Sequence, residues 1–204
     1  MAKENKELSC KRLPESYDLY INGNISEETL IDFKKDIHEK LDEIEEIISE
    51  MSRTIISLGL GIESIKANLP EFNIHVTTYG GDVYAGLGIC DLIKELSKTY
   101  KVNMICSGYI MSMGIPIILS GTEVYAYENS TFMIHEITAC CWDKFSKIKE
   151  DVKEFERLNK ILKNIILEKT KITKAEIDDW YIKKMDVFMS AKDALKYGII
   201  TKII

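Results

Sequence analysis

Short apolar runs that suit strands alternate along this chain with longer stretches of helical period, and that alternation constrains the fold more than any other feature. Tyr17 to Ile21 reads as a strand, with Asn22-Gly23-Asn24 after it as a turn. Ser26 is placed as a helix N-cap with Glu27 and Glu28 in the first turn, where the helix dipole favours acids. Leu30, Phe33, Ile37, Leu41, Ile44, Ile48 and Met51 then recur every three or four residues, the apolar face of a helix of about seven turns. Residues 54–70 give no clean period, since Gly59 and Gly61 interrupt it and Pro70 stops it. Phe72 to Thr78 alternates as a strand, Val83 to Leu96 is helical, and Val102 to Cys106 is a third strand. Ser107-Gly108 follows as a loop, then a helix from about Met113 to Leu119 and strands at Val124 to Ala126 and Thr131 to Ile134. Asp143 to Lys169 is a second long helix, striped by Phe145, Ile148, Val152, Phe155, Leu158, Leu162 and Ile165. Thr173-x-x-Glu176 and Ser190-x-x-Asp193 are capping boxes, and Gly198 suits a left-handed C-cap. Strands separated by helices return in the same direction, so the expected class is α/β with a mostly parallel sheet.

The 204 residues show no repeat and no low-complexity linker, so residues 1–204 are expected to form a single domain, with 1–16 as a polar, flexible arm. The net charge of −6 leaves no basic excess to displace counterions from a phosphate backbone, so nucleic acid is not an expected partner. The five cysteines, Cys10, Cys90, Cys106, Cys140 and Cys141, are odd in number and lack a Cys-x-x-Cys pair. They suit reduced thiols in a cytoplasmic setting rather than a disulfide framework or a zinc site. The charged N-terminus is no signal peptide, and no apolar run reaches the ~20 residues that cross a bilayer. Neither a dinucleotide nor a P-loop fingerprint occurs, and no metal or cofactor is expected.

In open α/β folds, sites collect where strands end and helices begin. Two such turns stand out. Tyr79-Gly80-Gly81-Asp82 offers backbone N–H groups without side chains in the way. Ser107 to Gly114 places Ser112 between a strand and a helix, where the positive end of the helix dipole assists an attacking oxygen. Taken alone, that turn reads as a helix N-cap serine. His135 alters the weighing, because its place at the end of a strand puts it on the same rim as Ser112. His38 falls on a solvated helix face, and His75, on the strand before the Gly-Gly turn, is a lesser candidate for the site.

These segments closely resemble the proteolytic subunit of the Clp protease. That family carries, in this order, a Gly-Gly turn (Gly80-Gly81), a Gly-x-x-x-Ser-Met-Gly segment (Ser112) and a Met-Ile-His segment (His135). It also carries an Asp-x-Phe-x-Ser-Ala segment, matched here by Asp186 to Ala191. The likeness covers residues 72 to 204. It implies a ClpP/crotonase-like fold of mostly parallel sheet layers wrapped by helices. It also implies a serine endopeptidase with Ser112 as nucleophile, His135 as base and Asp186 as orienting acid, and with the backbone N–H groups of Gly81 and Met113 as oxyanion hole. The residues by themselves leave Asp178, Asp179, Asp186 and Asp193 open; the resemblance selects Asp186. It further implies that 143–169 is the protruding handle helix of a homo-oligomer. Such an assembly would be heptameric rings, stacked as a tetradecamer, around a proteolytic chamber. The chamber would be fed with peptides or unfolded chains by a Clp ATPase.

The chain departs from the family in having Thr78-Tyr79 before the glycines, Ile110-Met111 before the nucleophile and a longer helical region over 26–70. These departures suit a divergent member, phage-encoded ones included. Two other classes stay open: a catalytically silent ring subunit or scaffold, and a crotonase-type acyl-CoA-binding protein whose Gly-Gly turn holds a thioester oxygen. Cys106 and Cys140 lack the helix start that would make either a nucleophile.

Overall fold

The alternating segments come together as one seven-stranded sheet in the computed structural model, which describes residues 12–57, 69–139 and 142–204. In chain order the elements are β1 (Ser16–Ile25), α1 (Glu27–Ser57), β2 (Glu71–Gly81), α2 (Val83–Leu96), β3 (Val102–Met111), α3 (Gly114–Ile118) and β4 (Glu123–Ala126). There follow β5 (Thr131–Ile134), α4 (Phe145–Lys169), α5 (Lys174–Ile182), β6 (Val187–Ser190), α6 (Ala191–Tyr197) and β7 (Lys202–Ile203). The strand order is β1-β2-β3-β4-β7, all parallel. β5 joins the far end of β3 in parallel, and β6 pairs antiparallel with β5. The expected α/β class with a mostly parallel sheet is therefore what the chain adopts.

β1 and β2 alternate along most of their length between buried residues and residues that are half-buried or exposed. Leu19, Ile21, Ile74, Val76, Met104 and Cys106 point into the core, under Phe33 and Ile37 of α1 and Ile89 and Ile93 of α2. The opposite face carries Tyr20, Asn73, His75 and Thr77, so one face of the sheet is covered within the chain and the other is polar.

Several local expectations are corrected. Asn22-Gly23-Asn24 is no chain-reversing turn: β1 runs through it, and Gly23, at φ +76°, takes up a register shift against β2. Ser107-Gly108 is not a loop, since β3 continues to Met111. Its first half pairs with β4 and its second half, past Gly108 at φ +65°, with β5. The helix after Ser112 has only five residues, so its macrodipole is weaker than the sequence suggests. α1 is longer than expected, reaching Ser57 over 31 residues. The expected stripe on α4 is buried only at Leu158 and Leu162, with Ile166 buried beside a half-buried Ile165, while Phe145 is 73% exposed. Both capping boxes and the left-handed Gly198 form as the spacing predicts. Residues 1–11 of the arm, 58–68 of the 26–70 region, Cys10, Cys140 and Cys141 lie outside the described residues.

Candidate active site

The switch of β3 from one neighbour to another brings the site together. Pairing of Tyr109, Ile110 and Met111 with Thr131, Phe132 and Met133 sets the ends of β3 and β5 side by side. Ser112 and His135, the residues that follow each strand, therefore emerge together. The Ser112 N–H donates to the Met133 carbonyl at 2.9 Å, which extends the ladder by one bond and holds the turn.

Ser112 itself has φ +53°, in the left-handed region that a residue with a Cβ adopts only under strain. The conformation turns the chain abruptly from strand into helix and lifts the side chain clear of both. The helix N-cap is Met113, which makes no side-chain cap bond. Ser112 is thus not the N-cap that its turn alone suggested. Its Oγ lies 2.7 Å from His135 Nε2; with Nδ1 protonated, the hydroxyl donates to the imidazole. His135 Nδ1 is 3.6 Å from Asp186 Oδ1, a charge-range contact longer than a hydrogen bond. Asp186, just before β6, has a side chain 61% exposed.

The Gly-Gly segment is the end of β2 rather than a free turn. Gly80, at φ +93°, lies directly against the serine turn: a Cβ there would stand 2.6 Å from Ser112 Cβ and 2.9 Å from Met113 N. Gly81 is glycine for another reason, since a Cβ there would meet the Ile25 carbonyl of β1 at 2.2 Å. Thr78, fully buried, fastens the segment by donating to the Gly23 carbonyl at 2.6 Å and accepting from the Gly80 N–H at 3.0 Å.

Ser112, His135, Gly81 and Met113 line one cleft of about 70 Å³. Its walls include Ile115, Pro116, Ile134, Leu162 and Ile166, with Glu136 and Tyr181 as polar members. The second half of α4 therefore roofs the site, and Asn159 on the same helix accepts from the Ile137 N–H at 3.0 Å, tying down the segment after His135. Burial, with the nearby Glu136 charge adding to it, pushes the Tyr181 hydroxyl up to about 12, so it is neutral at ordinary pH.

His75 stands outside this cleft, 3.2 Å from Asp18 and stacked on Tyr20 on the polar face of the sheet. His38 bonds a carbonyl of its own helix. Cys106 is fully buried, and burial pushes its thiol strongly upward, the reverse of what a nucleophile needs. Asp178 pairs with Lys163, Asp179 with Lys183, and Asp193 caps α6, so of the four candidate acids only Asp186 lies near His135. Sequence reasoning missed the role of Gly80 against the serine, the clasp at Thr78 and the covering by α4. The first two depend on which strands pair, and no local pattern records that. Among the described residues, no group of His, Cys, Asp and Glu side chains could hold a metal, and no helix is long and apolar enough to cross a membrane.

Comparison with known proteins agrees with this geometry. The chain is 31% identical over 160 residues to an ATP-dependent Clp protease proteolytic subunit of Deinococcus radiodurans, covering 76% of this chain and 75% of that protein. It is 32% identical over 163 residues to an ATP-dependent Clp protease proteolytic subunit 2 of Chlamydia trachomatis, covering 78% and 77%. A Bacteroides thetaiotaomicron proteolytic subunit is 28% identical over 170 residues, covering 76% of each chain. With the family model for Clp protease matching residues 27–204, and so nearly every element that builds the cleft, the chain belongs to the Clp protease family.

Proposed function

We propose that this protein hydrolyses peptide bonds by serine catalysis, with Ser112 as nucleophile. The observation that carries the reading is the 2.7 Å contact between Ser112 Oγ and His135 Nε2, made by a serine held at φ +53° between a strand and a helix. His135 takes the hydroxyl proton as Ser112 attacks the carbonyl carbon, then returns it to the leaving amine; water repeats the cycle on the acyl-enzyme. Asp186 orients the imidazole and stabilises its charged form. The N–H groups of Gly81 and Met113, which line the cleft, receive the developing oxyanion.

Residues 1–204 act in this reading as one domain that functions in a homo-oligomer. Trp142, just before α4, and Phe145 and Val152 on α4 are exposed, at 99%, 73% and 47%. As the handle, α4 would bury these side chains against a second copy, in heptameric rings stacked as a tetradecamer. Enclosure in such a chamber limits substrates to peptides and unfolded chains, delivered by a Clp ATPase in the cytoplasm. The loose His135–Asp186 contact favours one alternative, a catalytically silent ring subunit or scaffold that keeps the fold. A fluorophosphonate probe tests both: labelling of the assembled protein that disappears in Ser112→Ala supports catalysis. Assembled but unlabelled protein refutes it in favour of the silent subunit.

A further inference from the structure

The Ser112 cleft is lined by aliphatic residues together with Ser112, His135, Glu136, Thr138 and Tyr181; no lysine or arginine lines it, and Glu136 is its one carboxylate residue. Glu136 is half-buried, and among the described residues no hydrogen bond or ion pair engages it. Nearby Tyr181 is neutral and does not cancel its charge. Lys163 lies over the Tyr181 ring, 5.1 Å from its centroid, but its ammonium is held by Asp178. A cation arriving with the substrate meets a carboxylate that has no partner among the described residues, and an anion is repelled by it.

We infer that Glu136 selects substrates with lysine or arginine at the residue whose side chain enters the Ser112 cleft, on the acyl side of the scissile bond. The unbranched methylene stem lies along Ile115, Pro116, Leu162 and Ile166, and the charged head meets the Glu136 carboxylate. The inference rests on the reading of Ser112 as the nucleophile.

The test uses the full-length assembled protein and four fluorogenic peptides that differ only at this position: lysine, N-acetyl-lysine, norleucine and glutamate. The expected order of kcat/KM is lysine above norleucine and acetyl-lysine, with glutamate last. Lysine should exceed acetyl-lysine by roughly tenfold, mostly through KM, as suits an ion pair between exposed and fully buried. In Glu136→Gln the lysine-to-norleucine ratio should fall to about twofold or less, and in Glu136→Lys the glutamate peptide should overtake lysine. The ratio within each variant cancels any general loss of activity, and the acetyl-lysine comparison on the unaltered protein decides the matter even where a variant fails to fold. Equal turnover of lysine and acetyl-lysine, or a lysine preference that survives in Glu136→Gln, overturns the inference while leaving the peptidase reading intact. Turnover that persists in Ser112→Ala, or none at all, refutes the peptidase reading and this inference with it.

Discussion

Gly80→Ala tests the architecture of the site more sharply than removal of the nucleophile, because it adds one methyl group and deletes nothing. Gly80 sits at φ +93°, where an alanine costs roughly 1–2 kcal/mol. The new Cβ would be 2.6 Å from Ser112 Cβ and 2.9 Å from both Met111 O and Met113 N. Two of these neighbours are backbone atoms and cannot swing aside as a flexible side chain would. Reaching an ordinary contact of about 3.4 Å means displacing the serine turn by about 0.8 Å, with overpacking costing a further ~1–3 kcal/mol. The total expected loss is about 2–5 kcal/mol in a urea denaturation midpoint converted with a common m-value. A displacement approaching 1 Å at the nucleophile should also slow fluorophosphonate labelling by about 10²-fold. Gly23→Ala is the control: φ is +76°, but nothing lies within 4 Å of its Cβ, so it should lose only the backbone term and label at the normal rate. If the two variants lose equal stability and label equally fast, the claim that Gly80 makes room for Ser112 is wrong.

Ser112→Gly and Ser112→Ala should both abolish labelling, yet the glycine variant should be more stable by about 1 kcal/mol, because it relieves the φ +53° strain; thermal denaturation compares them. Thr78→Val removes both side-chain bonds, to the Gly23 carbonyl and from the Gly80 N–H, so a loss of about 1–3 kcal/mol by urea denaturation should accompany slower labelling. Glu154 on α4 accepts from Arg157 and from the Tyr84 hydroxyl, and these bonds hold its carboxyl down to about 2, from an ordinary 4.5. The unfolded chain therefore binds this proton more readily than the folded one, so the contribution is complete above pH 4.5 and fades as the pH falls toward 2. Glu154→Gln should flatten the acid side of the stability profile within that window, and an unchanged slope there would remove this assignment.

Much of the molecule follows from local pattern. The helix at Val83–Leu96, the strand at Thr131–Ile134, both capping boxes and the left-handed Gly198 need only neighbours within a few residues, and a sequence displays those directly. The order of glycine, serine, histidine and aspartate segments likewise marked the family. Where the reading went astray, the deciding partner was distant in sequence. Asn22-Gly23-Asn24 resembles a turn until β2 pairs alongside it and draws it into a bulged strand. Ser107 to Met111 resembles a loop until β5 supplies a ladder. Ser112 resembles an N-cap until a histidine 23 residues away comes within 2.7 Å of its hydroxyl. Local periodicity and capping chemistry determined which segments are strands and helices, which class of sheet they build and which residues were worth suspecting. Strand pairing decided that Ser112 meets His135 and that Gly80 rather than Gly81 clears the space beside it, and the packing of α4 completed the cleft with Glu136 in its lining. Those are contacts between remote segments, set by register and packing, and they exist only once the chain has closed on itself.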